Sequence, residues 1–361
     1  MKLYKSLSLL AVGLGAVGVV AAQGCSSSTA APTGGTAASG TVPPGPPSAG
    51  ATTDTTTRVF ALNQLFLGEV GRSGPVKDAW KDFGYNIDGL ATTKTDTNVC
   101  TRIGGADPAK QEDGNGGIDN SFGHTIVGFI QGIAPNPSKT INDSIQSGSF
   151  TILLEVTGLS DDPKQSATGL SGRLLVGGTY SPDDKTKKPT FSTTDDWPFR
   201  ASPIVNISNA YVNNGTFVNG ANGADVELSL FIQGVQLSLT IKRAAITFDH
   251  SGAHDAANGT ISGVINTEQL VTGIKSVAGR ISTQLCGGST LDTIEQTIRQ
   301  ASDIHSDGTN GAGSPCDAIS IGIGFTAKQI GPAKTAAKDS PAPPDPCADA
   351  GAGGDAGGDG G

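Results

Sequence analysis

The residues with the clearest chemistry lie in one acidic, glycine-rich run, Glu112-Asp113-Gly114-Asn115-Gly116-Gly117-Ile118-Asp119-Asn120-Ser121-Phe122-Gly123. Asp113, Asn115 and Asp119 offer hard side-chain oxygens. Gly114, Gly116 and Gly117 let the backbone turn and present its carbonyls. Calcium takes roughly six to eight such oxygens at flexible distances. The expected cofactor is therefore Ca2+, with Asp113, Asn115 and Asp119 as metal ligands. The same residue types also suit turns, so the other reading is a solvated loop in which Asp, Asn and Gly serve the backbone alone. A second short acidic piece lies upstream, Asn86-Ile87-Asp88-Gly89-Leu90.

From Asp113 onward the run resembles the start of an EF-hand loop, Asp-x-Asn-x-Asp-Gly. It departs at the fifth position, Gly117, and at the twelfth, where His124 replaces the bidentate Glu. Other chemistry is thinner. The chain has no Gly-x-Ser-x-Gly, no phosphate-cradling loop and no His-Glu-x-x-His. His250 and His254 stand four apart, a metal spacing on a helix, but Ser251, Gly252, Asn258 and Gly259 around them read as a turn. Glu155 and Glu227 sit on the polar side of two alternating stretches. Two such carboxylates on one sheet face, about 5.5 Å apart, would make a retaining glycosidase. An envelope carbohydrate-active hydrolase is thus the alternative to a binding or structural module. No catalytic residue is assigned. Trp197 is either a loop anchor or a platform for a sugar ring.

The N-terminus gives an address. Lys2 and Lys5 precede a largely apolar run over residues 7–20, too short for a comfortable span, and the segment ends Ala21-Ala22-Gln23-Gly24-Cys25. This resembles the lipobox of bacterial lipoproteins, with Ala22 where Leu is preferred and Gln23 where a small residue is usual. The resemblance implies cleavage before Cys25, a lipid on its sulfur and an acylated new N-terminus. Ser26, in place of the Asp that retains lipoproteins at the inner membrane, implies the outer membrane, facing either the periplasm or the exterior. Residues 26–57 are Ser, Thr, Ala, Gly and Pro, which cannot bury a core and read as a tether. The stretches Ala79-Trp80-Lys81-Asp82-Phe83-Gly84-Tyr85-Asn86-Ile87-Asp88-Gly89, Gly117-Ile118-Asp119-Asn120-Ser121-Phe122-Gly123 and Pro315-Cys316-Asp317-Ala318-Ile319-Ser320-Ile321-Gly322 are similar to uncharacterised lipoproteins of Gram-negative bacteria. That likeness implies an envelope location and no particular activity.

Composition agrees with such an address. Lys and Arg number 24 against 33 Asp and Glu, a net charge of −9. An acidic chain repels phosphate backbones, which argues against nucleic-acid partners. The expected partners are the membrane, through the N-terminal lipid, and a glycan or other envelope component. Without Cys25, four cysteines remain: Cys100, Cys286, Cys316 and Cys347. An even number in an exported chain suggests two disulfides, with three possible connectivities. Cys286–Cys316 is the favoured pair, leaving Cys347 to join Cys100 or stay free.

The elements that must carry these residues are mainly strands. Phe150, Ile152, Leu154 and Val156 alternate with polar or outward residues, as do Val226 to Ile232, Val235 to Ile241 and Ile319 to Phe325. Gly234 is either a bulge or the bend of one long strand. Leu270, Ile274, Val277 and Ile281 instead repeat at helical spacing, followed by Leu291, Ile294 and Ile298. The expected fold is mainly β, an antiparallel β-sandwich or jelly-roll-like domain with a C-terminal two-helix insertion. The expected organisation is a signal peptide over 1–24, a disordered tether over 25–57, a β-rich globular domain over 58–333 and a disordered Gly/Asp/Pro tail over 334–361.

Overall fold

A computed structural model describes residues 41–133, 135–232, 235–250, 255–281, 283–335 and Cys347. The signal peptide, Cys25, His254, Gly234 and most of the tail lie outside the described residues. Ten strands form: β1 (Thr57–Phe66), β2 (Thr151–Thr157), β3 (Ala167–Gly177), β4 (Pro198–Asn213), β5 (Thr216–Val218), β6 (Ala224–Ile232), β7 (Val235–His250), β8 (Asp255–Asn266), β9 (Ala318–Ile330) and β10 (Lys334–Thr335). Helices α1 (Val127–Ile133) and α2 (Pro137–Gln146) sit between β1 and β2. Helices α3 (Thr267–Ile281) and α4 (Ser289–Gln300) sit between β8 and β9, where the helical spacing puts them.

The mainly β expectation holds, but the sheet is a barrel and not a sandwich or jelly roll. Its hydrogen-bonded order runs β4-β3-β2-β1-β9-β8-β7-β5, and β5 also pairs with β4. Eight strands therefore close into a ring in which chain neighbours are spatial neighbours. Each of these pairings is antiparallel. Strand β6 stands outside the ring as the hairpin partner of β7, and β10 runs parallel to the start of β4. Period-two alternation is the same in a sandwich and in a barrel. The difference lies in β5, whose two edges bond β4 and β7 and so remove the free edges a sandwich would keep.

An eight-stranded barrel is just wide enough for side chains to fill. Phe60, Leu154, Leu174, Val212, Phe217, Phe248, Ile261 and Ile323, one from each ring strand, belong to a single buried cluster. Phe217 stacks on Phe248 with ring centres 4.8 Å apart, and Phe60 tilts against Phe248 at 5.5 Å. The outward positions carry the charge: Glu155 with Arg173, Lys242 with Asp225, and Lys328 with Asp255. A lipid-facing barrel has the opposite polarity. Among the described residues, no helix is long and apolar enough to cross a membrane.

Loops cover part of the outer face. Val59, Ala61, Leu153, Leu175 and Phe199 meet Tyr180 and Trp197 in a second buried cluster. Trp197 is fully buried and its indole N–H donates to the Gly178 carbonyl at 2.8 Å, so it anchors the loop and offers no face to a sugar.

Both boundaries of the domain move outward. Residues 41–56 are not a free tether but lie along the barrel. The Thr168 amide donates to the Gly50 carbonyl at 3.0 Å, and the Thr52 amide donates to the Thr168 carbonyl at 2.8 Å. At the other end, Lys334 and Thr335 add β10, and Cys347 is bonded to Cys286. Composition missed this because a Pro- and Gly-rich segment can be held by its carbonyls without burying apolar side chains. The favoured disulfide is likewise replaced. Cys100 pairs with Cys316 and Cys286 with Cys347, each with Cα atoms 5.1 Å apart. Cys316, just before β9, lies against the Cys100 loop, where Thr101 and Pro315 form a parallel bridge.

Candidate functional site

The acidic glycine run is folded onto the outer face of β9 together with the upstream piece around Asn86 and Asp88. Glycines on β9 make this possible. A Cβ at Gly322 would come within 2.1 Å of the Phe83 carbonyl oxygen, and one at Gly324 within 2.2 Å of the Phe83 ring. Alternation leaves these two glycines pointing outward while Ile321, Ile323 and Phe325 point inward. Asn120 then ties the layers together. Its Nδ2 donates to the carbonyls of Trp80, Phe83 and Gly322 at 3.0–3.1 Å, and its Oδ1 accepts from the Gly123 and Gly322 amides at 2.9 Å.

The two acidic pieces interlock. Gly114 N–H donates to the Ile118 carbonyl at 2.7 Å, and Asp119 N–H to the Tyr85 carbonyl at 3.1 Å. Gly117 has φ +92°, and a Cβ there would meet Asn86 Nδ2 at 2.5 Å and the Leu90 carbonyl at 2.6 Å. The site thus requires a glycine at this position both for its backbone conformation and for the close approach.

The three sequence-predicted ligands divide. Asp113 and Asp119 lie near enough for the charge of Asp113 to raise the pKa of Asp119. Asp119 Oδ2 also accepts from the amides of Ile87 at 2.6 Å and Asp88 at 3.3 Å, while Asp113 Oδ2 accepts from Thr92 N–H. Asn115 goes elsewhere, donating from Nδ2 to Asp82 Oδ1 at 2.5 Å. Asp88 and Asp303 take its place in the electrostatics. Asp303 is buried and accepts from the Ser320 amide at 2.8 Å and the Ser320 hydroxyl at 2.5 Å. One oxygen of Asp88, Oδ2, is buried without a hydrogen-bond partner.

Burial is the main force on these acids. It pushes Asp113 up to about 8, opposed by the Thr92 amide and reinforced by the negative charges of Asp88 and Asp303. It raises Asp119 well above the carboxylate range, with Asp88, Asp113 and Asp303 adding to the effect. Asp303 is pushed up to about 7, again chiefly by burial. Neighbouring buried carboxyls resist ionising together, so such a pair favours keeping a proton or holding a cation. Among the described residues, no three His, Cys, Asp or Glu side chains are arranged as a set that could hold a metal ion. A calcium ion between Asp113 and Asp119 would have to recruit backbone carbonyls.

The remaining candidates do not assemble. Glu155 on β2 is clamped by Arg173, whose Nε and Nη2 each donate at 2.8 Å. Glu227 is exposed on β6, opposite Thr240 and outside the ring. Strands β3, β4, β5 and β7 intervene in the hydrogen-bonded order, and the groove beside Glu155 is lined by Thr57, Val59, Thr193 and Gln329 without Glu227. The pair does not form the cleft a glycosidase needs. His250 is buried, its Nε2 lies 2.5 Å from the Ser160 carbonyl, and burial lowers its pKa. Its predicted partner His254 lies outside the described residues.

Asp88 was within reach of sequence reading, because its neighbours repeat the Asx-Gly character of the main run. Asp303 carried no such signal. It follows α4 in an ordinary Ser302-Asp303-Ile304 context, and only the fold brings it near Asp88. Compared with protein-family models, with curated proteins and with solved structures, the chain matches none.

Proposed function

We propose that this chain is a lipid-anchored lipoprotein of the outer membrane, facing the periplasm or the exterior, whose barrel serves as a binding or structural module. Acylated Cys25 would hold it to the membrane, and its expected contacts are glycan or other envelope components. The observation that carries the non-catalytic reading is the division of the barrel itself. Its interior is filled by side chains such as Phe60, Phe217 and Phe248, and its outward carboxylate Glu155 is already engaged by Arg173. The lipobox-like ending at Cys25 supports the anchor. Replacing Cys25 by Ser is expected to move the protein from the membrane fraction to the soluble envelope fraction. Retention of Cys25→Ser in the membrane fraction would count against lipid anchoring.

Calcium at the acidic loop is part of the same proposal. Asp113 and Asp119 are its side-chain ligands, completed by backbone carbonyls of the loop, since Asn115 bonds Asp82 instead. A cation there would replace the proton that the Asp113–Asp119 pair otherwise needs. The test is a thermal melt of the full chain, rendered soluble by Cys25→Ser, in millimolar calcium and in chelator. A ligand at a hundredfold its Kd adds about 2.7 kcal/mol, a plain rise in Tm. Asp119→Ala is expected to abolish that rise. Identical melts in calcium and chelator would return these residues to the role of turn formers.

A further inference from the structure

The barrel closes through its shortest strand. Three residues of β5 join β4 through the pairs Tyr211–Val218, Val212–Phe217 and Asn213–Thr216. The same three join β7 through Thr216–Asp249, Phe217–Phe248 and Val218–Thr247. Every other edge of the ring is longer, so this seam is where the ring has fewest bonds to lose.

Residues 41–56 lie across that seam. Tyr211 Oη donates to the Pro44 carbonyl at 2.8 Å, and Asn213 Nδ2 donates to the Gly45 carbonyl at 2.8 Å. Both donors are β4 residues that pair with β5. The segment is also tied on either side of the seam. Upstream, the Asn86 amide donates to the Thr41 carbonyl at 2.7 Å. Downstream, Thr52 Oγ1 donates to the Gly158 carbonyl at 2.9 Å, beyond the bonds to Thr168. Pro43, Pro44, Pro46 and Pro47 suit a strap held by its carbonyls, because they lack N–H groups and lose little backbone entropy when bound.

We propose that residues 41–56 are a clasp that keeps the barrel closed at β5. These residues then govern whether the apolar interior around Phe217 and Phe248 opens. The clasp does not depend on lipid anchoring or on calcium.

Amide hydrogen exchange in the full chain tests this. Tyr211→Phe with Asn213→Ala removes both side-chain donors and leaves the β4–β5 backbone ladder intact. Exchange at residues 216–218 is expected to quicken about tenfold, the scale of losing two hydrogen bonds. Exchange in β1, β2 and β3 should stay as it was. A second variant works in the opposite sense and guards against simple misfolding. Gly45 and Gly50 have open space where a Cβ would go. Gly45→Ala with Gly50→Ala stiffens the strap and is expected to slow exchange at residues 216–218 about fivefold. Unchanged exchange at residues 216–218 in both variants would overturn the clasp, as would the same acceleration in every strand.

Discussion

At the scale of single residues, the acidic loop makes neutral pH unfavourable to the metal-free fold. Asp113, Asp119 and Asp303 all have folded-state pKa values above the ordinary carboxylate value near 4. Between that value and their folded values, the native chain binds more protons than the unfolded chain. Their contribution is therefore greatest below about pH 4 and is lost as pH rises through about 7 and 8. In chelator, the urea midpoint is expected to fall from pH 5 to pH 8. Asp113→Asn, which cannot ionise, should flatten that decline. His250 works in the opposite sense, since its lowered pKa favours the fold as pH rises through about 6.5. A midpoint that rises steadily to pH 8 would mean the buried acids are paired with something positive. The sequence made Asp113 and Asp119 legible because one glycine-rich run holds both. It could not reveal Asp303, whose partners Ser320 and Asp88 come from distant parts of the chain.

At the scale of elements, alternation located β2, β6, β7 and β9, and the helical spacing located α3 and α4. It missed α1 and α2, where a short length and few buried residues such as Ile141 and Ile145 leave little periodic signal. It also could not reveal that β9 uses its two faces for two layers. Ile321, Ile323 and Phe325 serve the interior, while Gly322 and Gly324 admit Phe83 against the outer face. Gly322→Ala is accordingly expected to cost about 1–3 kcal/mol by overpacking against Phe83, read as a shift in denaturant midpoint. A neutral result would mean that the acidic-loop layer does not rest on β9. The disulfides follow the same logic of layers. Cys100 meets Cys316 because the loop covering β9 ends beside the strand's own start. Cys286, the expected partner of Cys316, is bonded instead to Cys347.

At the scale of the molecule, closure was the part least legible in the sequence. The three residues Thr216, Phe217 and Val218 decide between barrel and sandwich, and three residues carry too little alternation to be read. The closed ring leaves its interior filled with side chains. With Phe248 against both Phe60 and Phe217, the interior has the packing of a core and not of a ligand chamber. Phe248→Ala is expected to lower stability by about 3–5 kcal/mol, measured by equilibrium unfolding. A loss below about 1 kcal/mol would indicate a loosely filled barrel able to admit a guest.

The strap across β4 and β5 also changes how a pull would be felt. Its bonds at Thr41, Pro44, Gly45, Gly50 and Thr52 lie one after another along the chain. A load arriving from the N-terminal side meets them singly, as in peeling tape, and never shares itself among them. The ladder of β1 begins only at Thr57. Tension would therefore unwind the strap before it reached the barrel wall, freeing 16 residues whose full extended length is about 50 Å. On the clasp reading, a pull would lengthen the leash first and loosen the seam at β5 next.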